Sequence, residues 1–317
     1  MGIARLAAAS ELLEAKSRVQ YFEIPSRSLL NRTKPHMPFK WTINPYRGCE
    51  FGCKYCYARY THEFMEMDGQ DFEDKIYAKS AAAHLLRQEL ARVDRKDQIA
   101  IGTATDPYQP AERRFGCTRS LLEVFARERG RHLSLITKSD LIVRDIDLLR
   151  EVARGNVLSI HLTITTLDAR LARLMEPRAP RPDLRLDAVR RLTGAGLVVG
   201  VNPNPIMPLI TDSERHLDRL AKACRDAGSQ YFGGGALFLM PCAQKVFLPF
   251  LEQHFPRIAP HYREQFEKSP YLSKSYKETL RLRVQKIRDR YGFRTGPVDY
   301  RPELWEGDEQ PTLFPLQ

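Results

Sequence analysis

The chain has 317 residues, of which 43% are hydrophobic, enough for one large α/β domain with small additions at its ends. No run approaches the roughly 20 apolar residues of a membrane helix, and the N-terminus is charged too early for a secretory signal, so we expect a cytoplasmic protein without membrane attachment. Lys and Arg number 50 against 39 Asp and Glu. The resulting net charge of +11 favours a polyanionic partner, most simply nucleic acid, with a generally basic cytosolic protein as the alternative.

Residues 1–40 predict a helix followed by an irregular arm, because Pro and basic residues interrupt any pattern there. Short β-branched runs then alternate with amphipathic stretches, which is typical of a parallel sheet. Six main strands are predicted at 41–44, 98–103, 132–137, 157–165, 197–202 and 231–239. An additional strand–helix unit is predicted at 75–93, and further helices at 118–129, 143–154, 183–193 and 212–227. A full eightfold barrel typically needs about 250 residues. We therefore expect residues 41–242 to form a partial (β/α)6 TIM-like barrel.

Residues 243–296 predict a helical C-terminal extension with helices at 246–254, 260–268 and 274–291, and residues 297–317 a flexible tail. Basic side chains cluster in two places, which indicate either solvated helix faces or phosphate-binding patches. The first patch is Arg281, Lys286, Arg288 and Arg290. The second is Arg178, Arg181 and Arg185.

The strand at 157–165 has two chemically different faces. Its even-numbered residues from 158 to 164 are Leu or Ile, whereas Ser159, His161, Thr163 and Thr165 share the other face, and Asn202 continues this polar pattern on the next strand. Barrels usually fill the lumen with apolar side chains. The polar face therefore predicts an open barrel that binds a polar ligand.

Three of the six cysteines lie within eight residues, in a C-x3-C-x2-C pattern formed by Cys49, Cys53 and Cys56. Clustering of this kind in a chain without secretory features indicates a metal site. Three thiolates can hold three irons of a cubane and leave the fourth iron without a protein ligand. A zinc site completed by His62 is the alternative.

An aromatic residue, Tyr55, precedes the third cysteine. Together with the segments NPYRGCEFGCKYCYAR (44–59), GTATDPYQPAE (102–112) and MEPRAPRPDLRLDAVRRLTGAG (175–196), the pattern resembles the radical S-adenosylmethionine (SAM) superfamily, in its DNA-repair-photolyase-like, spore photoproduct lyase-like branch. The resemblance covers roughly residues 40–290. It implies a 4Fe–4S cluster and S-adenosylmethionine, and an electron donor such as flavodoxin or ferredoxin. The implied activity is reductive cleavage of S-adenosylmethionine to a 5′-deoxyadenosyl radical that abstracts hydrogen from the substrate.

The resemblance also implies individual cofactor contacts. It places Tyr55 beside the adenine and Lys138 near the cofactor carboxylate. The remaining predicted contacts, near the methionyl ammonium and along the strand ends, are Thr103, Thr105, Asp106, Ser139, Thr163 and Thr165, and the polar lumen adds His161 and Asn202.

The chain departs from the branch where spore photoproduct lyase has a hydrogen-donating cysteine, since residues 102–106 contain none. Cys242, after the last predicted strand, is the candidate replacement, and Tyr57 a candidate radical relay. The alternative for Cys242 is a small buried hydrophobic residue.

The C-terminal sequence Gln310-x-x-Leu313-Phe314 resembles the peptide by which bacterial repair proteins bind the DNA sliding clamp. The leading hypothesis is therefore a radical SAM enzyme acting on nucleic acid, most simply a lyase that repairs a DNA photolesion. The alternatives are radical modification of RNA, a peptide or a small metabolite, and a non-catalytic metal-containing DNA-binding protein.

Overall fold

The computed structural model describes residues 2–10, 12–16, 18–35, 37–296 and 300–305. The described strands are β1 (Leu12–Lys16), β2 (Val19–Glu23), β3 (Leu30–Arg32), β4 (Trp41–Ile43), β5 (Tyr46–Arg47), β6 (Lys75–Ala78), β7 (Gln98–Ile101), β8 (His132–Thr137), β9 (Val157–Thr163), β10 (Val198–Asn202) and β11 (Tyr231–Phe232). The described α-helices are α1 (Ile3–Ala8), α2 (Tyr60–Glu63), α3 (Ala82–Leu90), α4 (Glu112–Phe115), α5 (Cys117–Phe125), α6 (Ile146–Gly155), α7 (Ala169–Met175), α8 (Pro182–Gly194), α9 (Glu214–Asp226), α10 (Pro241–His254), α11 (Ala259–Phe266) and α12 (Lys274–Arg290).

A seven-stranded sheet forms the centre of the protein, in the order β11-β10-β9-β8-β7-β4-β3. All of its pairs are parallel except the one between β3 and β4 at the edge. The six parallel strands follow one another in chain order, as the sequence predicted. The predicted α/β fold class is confirmed, with three helices, α10 to α12, following the sheet.

A second sheet of four strands, in the order β1-β2-β6-β5, stands apart from the first. The arm expected to be irregular contains three strands. β1 pairs with β2, β3 pairs with β4, and β2 pairs in parallel with β6, from Gln20 opposite Lys75 to Glu23 opposite Ala78. The strand predicted near residue 75 is therefore present, but it belongs to this small sheet. Pairing between segments so far apart in the chain leaves no local pattern.

The large sheet and its helices enclose the main core. On β9 and just beyond it, Leu158, Ile160, Leu162 and Ile164 are at most 1% exposed, and α5, α6, α8 and α9 supply the apolar side chains around the sheet. Among the described residues no helix is both long and apolar enough to cross a membrane.

A separate apolar cluster joins α10 and α11 to the cysteine loop. It contains Cys49, Cys53 and Tyr55 from the loop and Phe247 and Tyr262 from the two helices. Because these residues share one cluster, the C-terminal helices pack directly against the loop.

Candidate cluster and cofactor site

The cysteine loop begins with a turn that only glycine can make. Gly48 has a φ of +81°, and a Cβ there would lie 2.5 Å from the carbonyl oxygen of Lys75. After this turn the chain carries Cys49, Cys53 and Cys56 in succession, and all three thiols are free.

Side chains from other elements hold the loop in place. The Thr105 hydroxyl donates to the Gly48 carbonyl oxygen at 2.6 Å, and the Gln109 amide donates to the same oxygen at 3.1 Å. The Gln109 amide oxygen accepts from the Glu50 backbone N–H at 2.9 Å, and the Glu50 carboxylate accepts from the Tyr21 hydroxyl, also at 2.9 Å. The loop is thus anchored on one side to the small sheet and on the other to the segment after β7.

The three thiols suit an iron–sulfur cubane. Burial raises the pKa of each of them, so iron, which binds the thiolate, would have to displace the proton of each thiol. Each cubane thiolate binds its own iron, so the sulfurs need not converge on one point. Within the described ranges no three His, Cys, Asp or Glu side chains converge on a single ion position.

His62, the fourth ligand of the zinc alternative, is occupied elsewhere. Its Nε2 lies 3.0 Å from the carbonyl oxygen of Lys75, and its ring packs edge-on against Phe72 and Tyr77. Burial lowers its pKa to about 4.

Glu176 forms the centre of a buried polar cluster beside the loop. It is 1% exposed, its carboxylate pairs with Arg185 at 2.6 Å and with Lys138 at 3.6 Å, and it accepts hydrogen bonds from the hydroxyls of Tyr55 and, at 3.2 Å, Thr165. Burial acts to raise the pKa of Glu176, but the charges of Arg185 and Lys138 outweigh it and lower the pKa to about 2. We did not predict Glu176 from the sequence, although it lies in the 175–196 segment that carried the resemblance.

Lys138 lies at the end of β8, with its ammonium 5.7 Å from the centre of the Tyr55 ring. The carboxylate of Asp106 accepts from the Lys138 backbone N–H at 2.7 Å and from the Thr137 hydroxyl at 2.6 Å. The Ser139 hydroxyl accepts from the Leu141 N–H at 3.2 Å and caps the following turn. The structure brings Tyr55, Asp106, Lys138 and Ser139 together, and their roles as cofactor contacts stay predictions.

Tyr57 and Cys242 lie next to each other. The Tyr57 hydroxyl donates to the Thr103 carbonyl oxygen. The buried Cys242 thiol, in the first turn of α10, lies 3.8 Å from the Tyr57 carbonyl oxygen. The predicted hydrogen donor is therefore close to the residue that directly follows Cys56.

The polar face of β9 and β10 is arranged as the alternation predicted. Thr163 lies opposite Asn202 and His161 opposite Gly200 in the register of the two strands. Thr163 and Thr165 are buried, and burial lowers the pKa of the partly exposed His161. Whether these side chains contact a cofactor stays a prediction.

In both basic patches, several of the basic side chains form ion pairs with carboxylates of the same chain. In the 178–185 patch, Arg185 is buried against Glu176, Arg178 pairs with Asp74 at 2.9 Å, and Arg181 pairs with Asp183 at 2.7 Å. On α12, Arg281, Lys286 and Arg290 likewise pair with nearby carboxylates. Only Arg185 is thereby removed from the protein surface, and phosphate binding by the other basic residues of the two patches stays a prediction.

Residues 43–223 match the sequence profile of the Radical SAM superfamily. The chain belongs to the radical SAM superfamily. Membership implies a 4Fe–4S cluster and S-adenosylmethionine, in agreement with the cysteine loop.

This radical SAM chain is 34% identical over 303 residues to an uncharacterised protein of Mycobacterium tuberculosis, covering 94% of this chain and 87% of that one. An uncharacterised protein of Methanocaldococcus jannaschii is 29% identical over 245 residues, covering 76% and 85%.

Solved structures show the same fold in spore photoproduct lyase. A cysteine-to-serine variant of that enzyme superposes with a TM-score of 0.66 at 16% identity, covering 86% of the radical SAM chain and 79% of the lyase. The lyase complexed with dinucleoside spore photoproduct gives a TM-score of 0.64 at 15% identity. The likeness extends beyond residues 43–223, to parts of the chain that the family profile does not match.

Proposed function

We propose that this radical SAM enzyme acts on nucleic acid and, within that class, repairs a DNA photolesion. The observation that carries the proposal is the likeness to spore photoproduct lyase over 86% of the chain, more than the superfamily profile alone matches. The net charge of +11 supports a polyanionic substrate. An electron donor such as flavodoxin or ferredoxin belongs to the same proposal.

Cys49, Cys53 and Cys56 are proposed to hold the cluster. When bound, the cluster and S-adenosylmethionine together supply an electron and a carbon radical that abstracts hydrogen. The protein excludes water from this chemistry, because the thiols lie in the apolar cluster that α10 and α11 complete.

The Tyr55–Lys138–Glu176 cluster is proposed to bind the cofactor's methionyl and adenine ends. Lys138 would neutralise the cofactor carboxylate, and it is held at the strand end because its backbone N–H donates to Asp106. Glu176 orients Tyr55 through their hydrogen bond. Thr105 has a different proposed role, since its hydroxyl supports the Gly48 carbonyl.

Cys242 is proposed to give a hydrogen atom to the substrate radical, with Tyr57 as the relay residue. The buried Cys242 thiol lies 3.8 Å from the backbone carbonyl oxygen of Tyr57, beside the cysteine loop. Replacing Cys242 with Ala should leave 5′-deoxyadenosine release intact and reduce repaired product. Replacing Cys224, a buried cysteine on α9 in the main core, should change neither.

The decisive experiment incubates the reduced, cluster-loaded enzyme with S-adenosylmethionine and ultraviolet-irradiated DNA that carries deuterated thymine. Deuterium in 5′-deoxyadenosine together with loss of a lesion is the expected result. Release of 5′-deoxyadenosine without deuterium transfer from any lesion would overturn DNA repair and favour RNA, a peptide or a small metabolite. No release under any condition would indicate a non-catalytic metal protein.

A further inference from the structure

Five aromatic side chains form a continuous row beside the cysteine loop. The row runs from the end of α2, past the residue after the third cysteine, to the segment that precedes α12. Successive ring centroids lie 5.3, 6.3, 5.0 and 5.9 Å apart in the order Phe64, Tyr60, Tyr57, Phe238 and Tyr271.

The two rings at the ends of the row are largely exposed to solvent. Phe64 is 63% exposed and Tyr271 is 56% exposed. Tyr57, Tyr60 and Phe238 between them are only partly buried. Rings of this size grouped at the surface indicate a contact surface for a partner.

Positive charge accompanies the rings. The Lys277 ammonium lies 5.9 Å from the centre of the Tyr271 ring. Arg47 lies near Tyr60, where its charge opposes the rise that burial causes in the pKa of that tyrosine. In the part of the chain that the structure describes, neither cation is within ion-pair distance of a carboxylate, unlike the arginines of the 178–185 patch.

We propose that this row stacks the unpaired bases of a nucleic-acid strand, while Lys277 and Arg47 neutralise its phosphates. Aromatic rings beside free cations are the usual means of binding a single strand, since every base has a flat face that can stack. The proposal rests on the nucleic-acid substrate proposed above and specifies its form, a strand that is single or locally opened. It also places that strand beside the cysteine loop, because Tyr57, the middle ring of the row, directly follows Cys56, and its backbone carbonyl oxygen lies 3.8 Å from the Cys242 thiol.

The test measures binding of short fluorescein-labelled thymidine and uridine homopolymers to the cluster-loaded enzyme by anisotropy, without reductant. Phe64→Ala and Tyr271→Ala should each weaken binding about tenfold, from the contribution of one ring to one base. Tyr271→Phe keeps the ring and should bind like the wild type. Leu282→Ala is the matched control, because Leu282 is an apolar residue on α12 that is 52% exposed.

A second measurement separates stacking from charge. Lys277→Ala should lower the slope of log Kd against log salt concentration by about 0.7, the value for one phosphate of a single strand, whereas Phe64→Ala should leave that slope unchanged. Comparing the thymidine and uridine strands shows whether DNA or RNA is preferred, and a labelled duplex should bind less tightly than either.

The outcomes distinguish this proposal from the proposed function. If the wild type binds the strands and the alanine variants bind equally well, the stacking row is refuted and a nucleic-acid substrate stands. If the wild type binds no oligonucleotide, single or double, the nucleic-acid substrate itself is refuted. Equal loss in Leu282→Ala would also refute the stacking row, because the effect would then not depend on the rings.

Discussion

Replacing Glu176 with Gln should destabilise the folded protein by about 3 kcal/mol at neutral pH. The pKa of Glu176 falls from 4.5 to about 2 on folding, and at about 1.4 kcal/mol per pKa unit this corresponds to about 3 kcal/mol. The loss arises because Arg185, which is 1% exposed, is left without its counter-ion. The measurement is urea unfolding followed by far-ultraviolet circular dichroism under anaerobic conditions.

The pH dependence provides the sharper test. A carboxylate whose pKa is lowered on folding contributes stability above its unfolded pKa, and this contribution disappears as the pH falls from about 4.5 to about 2. The difference between the wild type and Glu176→Gln should therefore shrink over that range. A difference that stays constant with pH, or is absent at neutral pH, would refute the reasoning.

Two controls accompany this experiment. Glu278→Gln removes a carboxylate that pairs with Arg281 at the surface and should leave stability almost unchanged. The double variant Glu176→Leu with Arg185→Met should recover part of the lost stability, since apolar side chains often replace a buried ion pair without cost.

Three further predictions concern the loop and the tail. Cys56→Ala should abolish the visible absorption of the reconstituted cluster, whereas Cys224→Ala should retain it. Gly48→Ala should also prevent cluster incorporation, because its Cβ would lie 2.5 Å from a carbonyl oxygen. Gly116→Ala is the control: Gly116 also has a positive φ, but no atom lies within 4 Å of the added Cβ, so this variant should incorporate the cluster normally. Deleting residues 309–317, which lie outside the described residues, should abolish capture by immobilised sliding clamp, and retained capture would contradict the clamp motif.

The sequence predicted the parts of the fold whose signals are local. Each parallel strand is a short run with at least one apolar face, and successive strands pair with their neighbours, so the order β4-β7-β8-β9-β10-β11 could be inferred. The pairing of β2 with β6 could not, because its partners are separated by some fifty residues of unrelated pattern.

The residues of the site likewise separate into those that a local sequence pattern predicted and those that it did not. The three cysteines lie within eight residues, so the sequence alone predicted the cluster loop, and the alternation along β9 predicted its polar face. Glu176 was missed because two of its partners, Tyr55 and Lys138, lie far from it in the chain. Arg185 was assigned to a surface patch because a helical sequence does not show which basic side chain points inward.

The contacts that hold the cysteine loop determine which residues a functional fragment of this protein must contain. The family profile starts at residue 43, yet Tyr21 lies before that point and supports Glu50, and α10 lies after residue 223 and covers the thiols. A fragment trimmed to the matched segment would keep every cysteine ligand but lose the scaffolding on both flanks. The smallest functional version of this protein should therefore start upstream of β2 and continue through α11.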